Sequence, residues 1–224
     1  MRGVLSRFLV AAVFLAGAFC LFMSYPAPVA RADDKATSLE LAGLDLYQQG
    51  DVNGAIEKFR QALALRPNDK AIQRNLAQFL NDAGVARYQM KDYAGAIAKF
   101  EEAVSLVPSF QKARGNLGMA KAAVLNAEGM ALYKVGNFEA AGEKYRQALA
   151  AAPDDQSARV NLDLTETEIL SRNKDYAGAV AKLRDALSVT PSIKMIQDRL
   201  AAVQALLDAQ IKEEADKAKE AKPK

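Results

Sequence analysis

Histidine is absent from this chain, and its single cysteine, Cys20, falls inside the first 32 residues. The side chains left to move a proton or attack an electrophile are carboxylates, lysines and tyrosines. No H-E-x-x-H string, no G-x-S-x-G turn and no glycine-rich phosphate loop after a strand occurs. Carboxylates abound, but they sit at helical spacing beside lysines and arginines, which is the pattern of a salt-bridged helix surface. No pair stands out as an acid and base couple. The sequence therefore predicts a protein that is not an enzyme, that takes no metal and no cofactor, and whose chemistry is recognition.

The first residues read as a targeting segment. Arg2 and Arg7 precede an apolar run from Phe8 to Met23, followed by Pro26, Pro28 and the small-residue exit Ala30-Arg31-Ala32 before Asp33. A positive start, a short apolar middle and an A-x-A exit form the secretory pattern, here a cleaved signal peptide over 1–32. The run is shorter than the roughly 20 residues needed to cross a bilayer as a helix, so stable membrane insertion after cleavage is not expected. Phe19 before Cys20 is too bulky for a lipid-attachment site. The expected destination is the periplasm, with secretion or anchoring through an uncleaved signal as minor alternatives. Removing 1–32 takes away three of the 30 basic residues and none of the 27 acidic ones, leaving a formally neutral chain. The basicity belongs to the targeting segment, and with it goes any compositional case for nucleic acid as partner.

The rest of the chain is periodic. Asp51-Val52 leads to Ala55, Phe59, Ala62, Leu63 and Pro67; Asp92-Tyr93 leads to Ala96, Phe100, Ala103, Val104 and Pro108 at the same offsets. Asn137-Phe138 and Asp175-Tyr176 open two more copies, ending at Pro153 and Pro191. Offsets of +4, +7 and +8 from the alanine share one helical face. Asp51, Asp92, Asn137 and Asp175 are N-caps, and each proline stops its helix. Asn68, Ser109, Asp154 and Ser192, directly after the prolines, are read as caps of the next helix. Upstream of each segment lies a second helix, in which Leu39, Ala42, Gly43 and Leu46-Tyr47 match Leu80, Ala83, Gly84 and Arg87-Tyr88, then Leu125, Glu128, Gly129 and Leu132-Tyr133. A helical glycine costs about 1 kcal/mol against alanine, so its recurrence points to close backbone contact with the paired helix. Gly50 and Gly136 make the turn inside the hairpin. Lys91 and Lys174 stand at that place in the other copies, and those two turns are expected to be strained or differently shaped.

Two antiparallel helices with Gly, Ala, aromatic, Ala and Pro at these positions resemble the tetratricopeptide repeat (TPR) family, in an exported bacterial form with lengthened repeats. The resemblance implies an all-α, right-handed solenoid of about four hairpins with the first helices lining a concave groove. The expected organisation is a repeat domain over 33–211, with repeats at about 36–69, 70–108, 109–153 and 154–191, a cap helix over 192–211 and a charged flexible tail over 212–224. In the fourth repeat Asp163 and Thr167 replace the expected leucine and glycine, which leaves the register of its first helix open.

Matching the family's groove positions gives a candidate floor of Tyr47, Gln48, Asn81, Tyr88, Gln89, Asn126, Met130, Tyr133 and Lys134, with Glu40, Leu44, Gln78, Val85, Asn161, Leu164, Glu168 and Arg172 beside them. A row of tyrosines flanked by amides suits an extended peptide, because amides bond its backbone while rings cover its apolar side chains. The family's carboxylate clamp needs cations where this chain has Glu40, Leu44, Asp82, Ala123 and Ala127, so that mode of capture is not expected. The function expected is a non-catalytic scaffold or adaptor in the bacterial cell envelope that holds another protein or an extended peptide. Two alternatives stay open: a self-assembling repeat protein, pairing through Leu and Ile of the terminal helix, and a carrier of a small apolar ligand in the groove.

The prolines lie 41, 45 and 38 residues apart, whereas the family's unit is about 34. The excesses of 7, 11 and 4 are near whole helical turns. They predict that the first helices of repeats two, three and four are lengthened at their N-terminal ends, with Ile72, Leu76, Phe110 and Leu117 as apolar members of a raised rim. After Pro191, the pattern Ile193, Ile196, Leu200, Val203, Leu207 and Ile211 reads as the amphipathic cap.

Overall fold

The computed structural model describes residues 28–220, with side chains from Asp33 onward. The expected signal segment therefore lies outside the described residues, apart from the backbone of 28–32. Among the described residues there are nine α-helices and no strand: α1 (Pro28–Gln48), α2 (Val52–Leu65), α3 (Lys70–Gln89), α4 (Tyr93–Leu106), α5 (Gln111–Lys134), α6 (Phe138–Ala151), α7 (Gln156–Arg172), α8 (Tyr176–Val189) and α9 (Lys194–Glu220). The fold is all-α, built from helical hairpins. None of these helices is long and apolar enough to cross a membrane.

The chain divides into two compact units between Leu76 and Ala77. In the first unit α1 packs on α2, and Gly43 faces the Phe59 ring so closely that an added Cβ would lie 2.6 Å from it. Arg66, at the end of α2, ties the start of α1 down: its guanidinium meets the Asp33 carboxylate and carbonyl, the Thr37 hydroxyl and, at 3.0 Å, Glu40. Ile72 and Leu76, the first of the expected extension residues, are fully buried.

In the second unit the same contact recurs. A Cβ on Gly84 would fall 2.5 Å from the Phe100 ring, and one on Gly129 2.7 Å from the Tyr145 ring. These pairs, like Gly43 and Phe59, are 16 residues apart, and the same step from Thr167 leads to Leu183, both of them buried. At the equivalent positions repeat four exchanges the volumes, with a larger residue on the first helix and a smaller one on the second. The buried Thr167 and Thr165 hydroxyls are satisfied within α7, donating to the Asp163 and Asn161 carbonyls at 2.8 and 2.6 Å. Asp163 holds the leucine position. It faces Lys182 at 3.9 Å, which also pairs with Glu166 at 2.8 Å, while Arg146 reaches Glu166 at 3.1 Å. Burial pushes the Asp163 carboxyl above its ordinary range despite Lys182. Burial also pushes Glu166 upward, but hydrogen bonds from Lys182 and Arg146 outweigh it and hold this carboxyl low.

The caps at the second helices are as read: Asp51, Asp92, Asn137 and Asp175 accept from the N–H of Gly54, Gly95, Ala140 and Gly178. The caps after the prolines need correction. Each proline and the residue after it form a two-residue turn, so Asp69 and Asp155 do the capping in place of Asn68 and Asp154, accepting from Ala71 and Ile72 and from Ser157 and Ala158. Phe110, in place of Ser109, gives α5 no side-chain cap, and α9 starts at Lys194, two residues after Ser192.

The hairpin turns all share one shape. Gly50, Lys91, Gly136 and Lys174 adopt φ of 86°, 62°, 78° and 58°, and each is followed by a residue whose N–H returns to the carbonyl five positions back, as from Asp92 to Arg87 and from Asp175 to Leu170. The lysines are strained but not differently shaped, since closing the helix this way demands the left-handed region whatever residue stands there. Lys91→Gly and Lys174→Gly should each raise stability by about 1 kcal/mol, read as a higher urea midpoint with unchanged slope.

The second helices α2, α4, α6 and α8 are all 14 residues long. The first helices α3, α5 and α7 have 20, 24 and 17 residues; removing the excesses of 7, 11 and 4 leaves 13 each time. All the extra length is therefore in the first helices, at their N-terminal ends, as extensions 70–76, 111–121 and 156–159. The C-terminal helix differs from expectation by continuing past Ile211 to Glu220. Its last turns carry ion pairs at helical spacing, Lys217 with Glu213 at 2.5 Å and Lys219 with Asp216 at 3.0 Å, which favour helix over a frayed tail.

Candidate binding cleft

The first helices of the second unit are joined by polar side chains. Asn116 on α5 donates to the Asn81 Oδ1 on α3 at 2.7 Å, and Asn161 on α7 donates to the Asn126 Oδ1 at 2.8 Å. The Tyr133 hydroxyl donates to Glu168 on α7 and accepts from Arg199 on α9, at 3.3 and 3.2 Å, and Arg199 also pairs with Glu168. Asn81 is fully buried and donates in turn to Asp82. These groups hold helix to helix. Asn81, placed by the sequence on the groove floor, is fully buried, and the Asn126 Oδ1 and the Tyr133 hydroxyl are already engaged.

The three bonds each span 35 residues, about one unlengthened repeat. The motif positions, by contrast, lie 45 residues apart from α3 to α5 and 38 from α5 to α7. Motif-equivalent residues are thus offset by about ten residues between α3 and α5, roughly 15 Å along the helix, and by about 5 Å between α5 and α7. Tyr88 and Tyr133 accordingly do not form a level ladder. Tyr133 packs on Phe138 with ring centres 5.0 Å apart, and Arg172 lies 4.3 Å over the same Phe138 ring. Gln89, Met130 and Lys134 are exposed. In the first unit Gln48 is exposed and Tyr47 half-buried.

The unequal extensions leave a step. With bonded partners 35 residues apart, the start of α7 at Gln156 is level with Lys121, so α5 rises about 15 Å past it. The α5 face bared above that step, Lys112, Gly115, Asn116 and Met119, forms a cleft of about 730 Å³ with Tyr88 and the α6–α7 connection from Ala151 to Ser157. Gly118 makes the step tight, because a Cβ there would lie 2.3 Å from the Ala151 carbonyl oxygen. Gly115 keeps it open, since nothing lies within 4 Å of where its Cβ would be. Tyr88 packs on Tyr93 in a tilted arrangement, with ring centres 5.3 Å apart. Burial, then Tyr93 and Asp155, push its hydroxyl above the ordinary value, so it stays a neutral donor. Of the expected floor only Tyr88 lines the cleft. Lys112, Asn116, Met119 and Asp154 are site residues that motif matching misses, although the unequal proline spacings carry the signal. Among the described residues, no group of acidic side chains is arranged to hold a metal ion.

The tetratricopeptide repeat family matches residues 41–109 and, separately, 122–155. The chain is a tetratricopeptide repeat protein. The stretch between the two matches in this TPR chain is nearly the α5 extension, so the wall of the cleft is an addition to the family's unit. Solved structures similar to this TPR protein include a TPR repeats protein from Bacteroides fragilis, 18% identical over 76% of this chain and 98% of that one with a TM-score of 0.48. Others are a thermophilic TPR protein of Thermus thermophilus, 18% identical over 76% and 99% with a TM-score of 0.29, and the first TPR of Spaghetti (RPAP3) bound to an HSP90 peptide, 21% identical over 61% and 94% with a TM-score of 0.27. No protein of curated function matches the sequence.

Proposed function

We propose that this TPR protein is a non-catalytic adaptor of the bacterial cell envelope, holding an extended segment of a partner protein in the stepped cleft. The observation that carries the proposal is the cleft itself: an open, mainly apolar trough with Tyr88 and Met119 as hydrophobic contacts and charged side chains along its rim. Lys112 on one wall and Asp154 on the other suit the alternating chemistry of a peptide better than an apolar small molecule, which would leave both charges unused. Export is supported by the sequence pattern of residues 1–32, and a formally neutral chain beyond them disfavours nucleic acid.

Met119 is 48% exposed, so Met119→Arg fills the cleft without disturbing the core. Capture of partners from an envelope extract by this variant should fall about tenfold, with melting temperature unchanged, whereas the exposed Met130→Arg should capture normally. Equal recovery of the same partners by Met119→Arg and the parent would remove the cleft from the proposal.

A further inference from the structure

The terminal helix α9 carries two faces. Ile196 and Val203 are buried, and with Leu200 and Leu207 they pack into the core around Leu164 and Leu183. That face is occupied, so these members of the leucine and isoleucine set expected to drive self-association are already engaged. The opposite face is bare, and its charges carry an order. Lys194 and Asp198 stand at one end, Lys212 and Asp216 at the other, and all four are exposed. Among the described residues Lys194, Asp198 and Lys212 have no ion-pair partner. Reflected about Ala205, Lys194 falls on Asp216 and Asp198 on Lys212: the pattern is self-complementary when read in the reverse direction.

We infer that α9 pairs antiparallel with α9 of a second copy of this chain, about a two-fold axis at Ala205. The two-fold operation brings Lys194 to the second copy's Asp216 and Asp198 to its Lys212, and each contact occurs twice, giving four ion pairs along the seam. Between the charges the face shows Ala201, Ala205 and Ala209, exposed and without side-chain bulk, so the backbones can approach to the close end of the interhelical range. Beside the axis Leu206, 48% exposed, meets its own counterpart and supplies apolar burial. Antiparallel helices also set opposite dipole ends together. Length supports the same occupant: α9 has 27 residues against 14 in α8, so its last turns outrun the helix it packs on, and such an isolated stretch is marginal in water. This inference does not depend on the cleft and stands or falls separately.

Charge reversal tests it, because the substituted residues are exposed and folding is not at stake. In sedimentation velocity the parent chain should dimerise at micromolar concentration. Asp198→Lys sets like charges together at both symmetry-related contacts and should weaken the dimer about tenfold or more, and Lys212→Asp should do the same. The double variant Asp198→Lys with Lys212→Asp restores opposite charges and should recover the dimer to within about threefold of the parent. Orientation is read by mixing Ala201→Cys and Ala209→Cys chains, which should form the mixed disulfide in preference to either homodimer. A parent that stays monomeric at high micromolar concentration, a double variant as weak as the singles, or disulfides that favour like with like would each overturn the pairing.

Discussion

Gly84→Thr should cost about 3 kcal/mol of stability, and most of the loss should return when Phe100→Leu is added. The reason lies in a contact made three times with one recipe, while the equivalent positions of repeat four hold another. Gly84 leaves no room: a Cβ there would sit 2.5 Å from the Phe100 ring, and Phe100, itself 1% exposed, has nowhere to move. Position for position, Thr167 over Leu183 solves the same packing problem with the volumes exchanged, and both are buried with the threonine hydroxyl bonded to its own helix. The two substitutions transplant that solution into repeat two. Each alone is wrong in a different sense, one overpacking the interface and the other leaving a cavity, so they should be strongly non-additive. A denaturation double-mutant cycle measures this, with a coupling of about 2 kcal/mol expected. Additive losses would mean that the glycine serves helix geometry and not the ring.

Asp163→Leu should have the largest effect in the opposite direction, raising stability at neutral pH by about 2 kcal/mol. Asp163 occupies the position of Leu39, Leu80 and Leu125, and Leu80 is fully buried. The carboxylate is almost as deeply placed, and the nearest cation, Lys182, stands at 3.9 Å while pairing more closely with Glu166. Leucine removes a poorly compensated charge and leaves Lys182 its better partner. The sign with pH follows from the upward shift caused by burial. The folded protein holds the Asp163 proton more tightly than the unfolded chain, so the penalty is absent below the ordinary aspartate value of about 4. It grows as pH rises from there through the raised folded value and is complete above it. The advantage of the leucine variant should therefore be small in urea melts near pH 4 and wide near pH 7. Glu166 works the other way, contributing stability at neutral pH that is lost as pH falls through its lowered value, but both chains carry it and it largely cancels in the comparison. A variant less stable than the parent at pH 7 would show that Lys182 needs Asp163.

The hairpins are legible because their determinants are local. Capping by Asp51 or Asp92, the alanine stripe of α4 and the stop at each proline involve residues within a turn or two of one another. Backbone geometry fixes which of those neighbours meet. Even the lengthened first helices can be counted from proline spacings, since an insertion that keeps the apolar face must be close to whole turns. The caps after the prolines fall one residue later than their spacing suggests, for a similarly local reason: a two-residue turn intervenes, which hands the role to Asp69 and Asp155.

What the sequence determined by itself is the inventory: four hairpins, a terminal helix, and extra turns of 7, 11 and 4 residues on three known helices. What only the tertiary structure decided is how far each helix slides along the next. Motif matching assumes that equivalent residues share a level, but the interhelical bonds of Asn81, Asn126 and Tyr133 all bridge 35 residues, so the inserted turns shift the motif along each successive helix. That slide buries Asn81, makes Asn126 and Tyr133 struts between helices, and leaves the α5 face bare beside Tyr88. Axial register between packed helices is set by the sum of many weak side-chain contacts across the interface. No short stretch of sequence carries that sum, whereas each helix start, stop and face is written within a few adjoining residues.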